Sequence, residues 1–295
     1  MPINDIRREL KFFRFSLTKA PWLMHFAWDV QKVLLLMTPT HRVNHENVNV
    51  MRDDGTLMRM DILTPKKSEG ESLPTLLYFH GGGFGYEAAP HHKKLTAMYA
   101  KKAHCRVICP DYSLLPDFAY PKPRNDARLA YEWLENYYPD TPFAVGGDSA
   151  GGVLASYVVA DAKRTPAVCI LMYPVTDREM KTESMKKYLN TPMWNALNNK
   201  TMWELYLKNG ENKEASPMQM TLPQKLPPFY IETAQFDCLH DDGVNFAKRL
   251  VSLGTSVEVV ETRGTLHGFD IALWTRLVRA CVKKRCEMLT KAFKN

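Results

Sequence analysis

A chain of 295 residues, 45% hydrophobic and 24% charged, has the balance of an ordinary soluble globular protein and is long enough for one large α/β domain or two small ones. Its net charge of +7 raises nucleic acid or an anionic membrane, but the excess gathers in Arg276, Arg279, Lys283, Lys284, Arg285, Lys291 and Lys294, interleaved at helical spacing with Leu277, Ala280, Cys281, Met288 and Leu289, and is read as the solvated face of a last helix rather than a nucleic-acid surface. Six cysteines form no Cys-x-x-Cys pair and stand at no metal-ligand spacing with histidine, so no metal is expected; with no secretion signal evident they point to a reducing cytoplasm without disulfides.

At the N-terminus Arg7, Arg8, Lys11, Arg14 and Lys19 precede an apolar stretch over 22–37. His25, Asp29, Gln31 and Lys32 interrupt it, and a charge near a bilayer centre costs about 2.5–3.5 kcal/mol, so no membrane span is predicted. Ile6, Leu10, Phe13 and Leu17 make one helical stripe, and Trp22, Phe26, Val30, Val33 and Met37 another. Two amphipathic helices covering something apolar are preferred to attachment at a membrane surface.

Residues 47–51 and 57–63 alternate in polarity across Asp53-Asp54-Gly55 and predict a hairpin. A polar loop over 66–72 leads to an apolar strand, 75–79, which runs straight into His80-Gly81-Gly82-Gly83-Phe84. The Lys-Ser/Thr of a phosphate loop is missing there. What remains is a segment whose backbone amides are free to point into space. A helix over 93–103, a strand over 106–109 and an amphipathic helix over 126–137, with Leu129, Ala130, Trp133 and Leu134 inward, come next.

The strand at 143–145 ends in Gly147-Asp148-Ser149-Ala150-Gly151, the Gly-x-Ser-x-Gly spacing of a nucleophile elbow, and a helix over 153–162 follows. A Cβ at either flanking glycine would collide with the neighbouring strand or helix, and the helix N-terminus favours negative charge developing beside the serine. A strand over 167–173 closes at Pro174. Residues 178–226, polar and rich in Met, Asn and Lys, with Trp194 and Trp203, read as a lid or small helical subdomain. A strand at 229–234 leads to Asp237, a helix covers 242–253, a strand covers 256–260, His267 lies in the loop after it, and a last helix runs from 271. Strands alternating with helices predict an α/β fold with a largely parallel sheet, whose functional groups gather beyond the strands' C-terminal ends.

A serine hydroxyl needs a base, histidine has a pKa near the working range, and the imidazole needs a carboxylate to fix its tautomer and stabilise its cation. The chain order Ser149…Asp237…His267 suits this architecture. Asp241 and Asp242 rival Asp237, which is favoured because it follows its strand most closely, whereas the other two start a helix, where capping explains them. The Ala150 N–H and the amides of Gly81, Gly82 or Gly83 would receive the charge that grows on an attacked carbonyl oxygen.

With these pieces in place the sequence resembles the hormone-sensitive-lipase-like esterases of the α/β-hydrolase superfamily. The resemblance rests on His80-Gly81-Gly82-Gly83-Phe84, Pro110-Asp111-Tyr112-Ser113-Leu114, Gly147-Asp148-Ser149-Ala150-Gly151-Gly152, Tyr173-Pro174-Val175-Thr176-Asp177, Asp237-Cys238-Leu239 with Asp241-Asp242-Gly243, and His267-Gly268-Phe269, in that order over residues 45–295. It implies an α/β-hydrolase fold with an eight-stranded, mostly parallel sheet flanked by helices. It also implies a helical cap built from N-terminal helices over 1–45 and an insertion at 178–226, leaving 46–177 and 227–295 as the core. It implies a cofactor-free carboxylesterase acting on short acyl esters through an acyl-enzyme on Ser149, with His80 pinning the oxyanion loop and Asp148 supporting the elbow. Relatives pair through the last strand and helix, so a homodimer is one expectation. The chain departs from the family at Gly85-Tyr86-Glu87 and Leu115-Pro116-Asp117, which bear on pocket shape. An amidase or peptidase would use the same triad, and a ligand-binding receptor on this fold would lack the histidine.

Overall fold

The computed structural model describes residues 43–294 together with Ile6, Arg7, Leu10, Met37 and Thr40. The helices expected over 1–45, with Trp22 and Phe26, lie outside the described residues apart from these few. Ile6 and Leu10 are buried in the core on one face of the sheet, and the Arg7 N–H donates to the Gly264 carbonyl at 3.0 Å.

Eight strands form one sheet: β1 (Val43–Met51), β2 (Leu57–Pro65), β3 (Thr75–Phe79), β4 (Arg106–Pro110), β5 (Phe143–Asp148), β6 (Cys169–Met172), β7 (Phe229–Ala234) and β8 (Val257–Thr262). Their spatial order is β1-β2-β4-β3-β5-β6-β7-β8. β1 pairs antiparallel with β2, and β2 with β4; every later pair is parallel. The hairpin forms as its polarity predicts, with Met51 opposite Leu57 and Gly55 at φ 80°.

β3, β5, β6 and β7 are buried along their whole length, as parallel strands covered on both faces must be. On one face lie α1 (Pro90–Ala103) and α7 (Arg276–Ala292); on the other lie α2 (Lys122–Tyr137), α3 (Ala150–Asp161) and α6 (His240–Ser252). Between β6 and β7 the chain leaves the sheet to form the helical cap, with α4 (Glu183–Lys187), α5 (Ala196–Tyr206) and a 3-10 turn at Lys213–Ala215. Buried Met202, Trp203 and Tyr206 of α5 join the core on the α3 side.

The last helix departs from its sequence reading. Its buried stripe is Val278, Val282, Arg285 and Leu289, so Arg285 lies inside and not on the solvated face. Ala280 is exposed, and Leu277, Cys281 and Met288 are only partly buried.

Candidate active site

The sheet order delivers three remote residues to one rim. β5 ends at Asp148, and the chain turns at Ser149 with φ 53° and ψ −119° before α3 begins at Ala150. A non-glycine residue at positive φ is strained and persists only where its surroundings fix it. Here the Ser149 N–H donates to the Met172 carbonyl at 2.9 Å and its carbonyl accepts from the Val175 N–H at 3.0 Å, pinning the corner to the end of β6. A Cβ on Gly151 would strike the Phe79 carbonyl, so the helix can sit this close to β3 only with glycine there. α3 begins three residues before the expected boundary because the turn is a single residue long.

His267 lies in the loop after β8, and Asp237 just past β7. The Ser149 hydroxyl lies 2.9 Å from His267 Nε2, and Nδ1 of the same ring lies 2.7 Å from Asp237 Oδ2. A hydroxyl donating to Nε2 and an Nδ1–H donating to the carboxylate make one continuous line. The second Asp237 oxygen accepts the Leu239 N–H at 3.0 Å, which orients the carboxylate. Ser149 is 3% exposed, Asp237 0% and His267 7%.

Asp241 and Asp242 do not meet this line, and neither caps a helix: Leu239 holds the N-cap position of α6. Asp241 Oδ2 accepts the Ser184 N–H at 2.8 Å, and Asp242 Oδ1 accepts the Thr182 hydroxyl at 2.8 Å. Both therefore fasten the cap at α4 rather than terminating α6. Burial pushes the Asp242 carboxyl up to about 8, helped by Asp177, Asp237 and Asp241 and opposed by the Thr182 hydroxyl.

The folded state thus keeps a proton on Asp242 that the unfolded chain gives up near the ordinary carboxylate range. Stability is lost as pH rises through that window to about 8. Asp242→Asn, which cannot titrate, is expected to remove this loss. Between pH 5 and pH 8 the wild type should lose about 3 kcal/mol more than the variant, read from urea unfolding midpoints.

The glycine loop is held by Asp148. Its Oδ1 accepts the Tyr78 hydroxyl at 2.7 Å and the Gly81 N–H at 3.0 Å, and its Oδ2 faces His92 Nε2 at 3.2 Å. His92 Nδ1 accepts the Ala89 N–H at 2.9 Å, which places the ring proton on the nitrogen facing Asp148. Burial alone would raise the Asp148 carboxyl; His92 and Tyr78 outweigh it and hold it well below the usual carboxylate range.

His80 donates from Nδ1 to the Gly81 carbonyl at 2.7 Å, stacks on Tyr112 at 4.5 Å and accepts the Tyr112 hydroxyl on its own carbonyl at 2.8 Å. Burial pushes its ring down to about 4. The Gly81 amide is therefore committed to Asp148, which departs from its expected place among the oxyanion donors. Gly82, Gly83 and Ala150 are left, the last standing ahead of the hydrogen-bond ladder of α3.

Trp194, from the cap, lies across this loop. A Cβ on Gly83, which has φ 58°, would come within 2.5 Å of the indole, and the indole stands 6.0 Å from the His267 ring. Tyr78, His92 and this contact were not read from sequence. Tyr78 sits in an unbroken apolar strand, and His92 opens a helix with no motif around it.

Residues 76–271 match the family described as alpha/beta hydrolase fold. The carboxylic ester hydrolase LipN of Mycobacterium tuberculosis is 31% identical over 222 residues, 69% of this chain and 59% of its own length, so the chain spans less than two thirds of that relative. The esterase LipI of the same organism is 31% identical over 219 residues, covering 70% of this chain and 68% of its own. An ethyl acetate hydrolase of Pseudomonas putida is 29% identical over 231 residues, 74% of this chain and 73% of its own. Among solved structures, esterase LipW from Mycobacterium marinum superposes with a TM-score of 0.89 at 22% identity over 100% of this chain and 98% of that one, a likeness of fold. With the family matched over most of the sheet, the chain belongs to the α/β-hydrolase family, in its hormone-sensitive-lipase-like branch.

Proposed function

We propose that the protein hydrolyses small carboxylic esters through an acyl-enzyme on Ser149. The observation that carries this reading is the unbroken hydrogen-bonded line from Ser149 through His267 to Asp237. In the first half-reaction the Ser149 oxygen attacks the acyl carbon while its proton passes to His267 Nε2. Asp237 stabilises the resulting imidazolium. The carbonyl oxygen gathers negative charge and is received by the N–H groups of Gly82, Gly83 and Ala150, each such donor being worth about 2.7–4 kcal/mol. The tetrahedral intermediate collapses, the carbon–oxygen bond to the alcohol breaks, and His267 returns its proton to the departing alcohol. Water then repeats the sequence on the acyl-enzyme, with His267 again as base, and releases the acid and the free serine. A receptor on this fold would have no use for the bond between His267 and Ser149.

The insertion at 178–226 serves as the roof of the pocket, and Trp194 sets its height over Gly83. An indole in that position would favour short acyl groups. Trp194→Ala is expected to raise kcat/KM for an octanoate ester relative to the acetate by about tenfold, measured on p-nitrophenyl esters of graded length beside an anilide and a lactone. An unchanged acyl profile would remove Trp194 from the pocket, and faster turnover of the anilide would turn the reading toward amides.

Among the described residues no helix is long and apolar enough to cross a membrane. The six cysteines are all free, which suits a cytoplasmic location. Among the described residues β8 has a neighbouring strand on one side only, and that open edge is where two copies would pair.

A further inference from the structure

Beneath the His267 loop, on the face covered by α1 and α7, lies a buried charged cluster that the reaction above does not use. Arg285 of α7 is 0% exposed. A guanidinium has five N–H donors and cannot lose its charge, and here every donor has an acceptor. Nε donates to Glu232 Oε2 at 2.9 Å, and Nη2 to Glu232 Oε1 at 2.7 Å and Asp270 Oδ1 at 3.2 Å. Nη1 donates to Asp270 Oδ2 at 2.7 Å and to the Tyr99 hydroxyl at 3.4 Å. The carboxylates are supported in turn: Glu232 accepts the Tyr230 and Thr262 hydroxyls at 2.9 and 3.3 Å, and Asp270 accepts the Tyr173 hydroxyl at 3.1 Å.

Such a cluster is a poor source of stability. Buried ion triads can often be replaced by apolar side chains of similar volume at no loss, or with a gain. Its placement suggests another use. Glu232 lies on β7, upstream of Asp237 on the same strand-to-turn path, and Asp270 lies just beyond His267. Arg285 therefore grips the chain on both sides of the bond between His267 and Asp237. Tyr173 adds a direct contact, its ring standing edge-on to the His267 imidazole at 4.9 Å while its hydroxyl is tied to Asp270. Gly264 and Gly268 on either side of the histidine have φ 74° and 69°, turns that glycine makes without strain.

We propose that Arg285 is the positioning residue for His267: through Asp270 and Tyr173 it holds the imidazole in register between Ser149 and Asp237, with Glu232 as the fixed post. This rests on the reading of His267 as the base. A bidentate fork is needed because one planar group must set the spacing of two carboxylates, and a lysine at this position keeps the charge but loses that geometry.

The test uses the full chain with Arg285→Lys, Arg285→Met and Asp270→Asn, with Lys283→Ala on the exposed side of the same helix as control. Three quantities are read well below each variant's melting midpoint: kcat and KM for p-nitrophenyl acetate, and the downfield proton resonance of the imidazole N–H shared with Asp237. Arg285→Lys and Asp270→Asn are expected to lower kcat about 10²-fold, as a displacement of about 1 Å at a reacting group does, with KM held and the resonance shifted or broadened. Lys283→Ala should leave all three alone. Folded variants with wild-type kcat, or with reduced kcat and an unmoved resonance, would overturn the proposal. If Arg285→Met does not fold, the other two variants decide. Turnover retained by Ser149→Ala would instead overturn the reading of the site, and the resonance distinguishes the two failures because it needs no turnover.

Discussion

Ser149→Ala is expected to lose about 10⁶ of kcat on p-nitrophenyl acetate while keeping its circular dichroism and melting midpoint within a few degrees. The size follows from the way the three side chains act as a unit. Without the attacking oxygen, the base and its carboxylate have nothing to activate, and only the oxyanion donors and substrate binding still help, which is worth about 10³–10⁴ over water. The fold should be indifferent because the Ser149 hydroxyl makes its hydrogen bond to His267, while the corner is held by backbone bonds to Met172 and Val175. Alanine tolerates φ 53° no worse than serine does. Turnover within tenfold of wild type would remove Ser149 from the reaction.

Asp237→Asn carries the second large effect, a loss of about 10⁴ in kcat, set against little change for Asp241→Asn. Asp237 is fully buried, and its two oxygens face His267 Nδ1 and the Leu239 N–H. An amide in that place can turn its oxygen toward only one of these partners. If it satisfies Leu239, its NH₂ meets Nδ1, which favours the tautomer with the proton on Nε2, where it blocks the serine. Asp241 instead bonds the Ser184 N–H and the His240 ring, outside the line. Steady-state kinetics on the two purified variants decides between them, and the reverse order of activity would move the acid to residue 241.

Much of this was legible in the residues. Apolar runs bounded by proline and glycine located β3 and β5, because strands buried on both faces have no polar side to blur. The two glycine motifs located the turns, since a close approach of backbones admits no other residue. Arg285 departs from its expected place because charge ordinarily marks a solvated face. Its helical position, in step with Val278, Val282 and Leu289, pointed inward, and only the partners supplied by β7 and the His267 loop make that position tolerable. Gly81 was assigned to the oxyanion because an amide in a glycine loop carries no mark of its acceptor; Asp148, remote in sequence, takes it. Asp241 and Asp242 looked like caps because acidic residues at a helix start usually are, and their bonds to Thr182 and Ser184 arise only when the cap folds over α6.

Asp148 is joined to Ser149 by a peptide bond, and its carboxylate also anchors Gly81 at the head of the glycine loop. In the proposed reaction one carboxylate thus ties the attacking residue to the loop that carries the oxyanion donors, as a jig sets the separation of two tools before any workpiece arrives. An ester entering the proposed site would find that alignment ready-made.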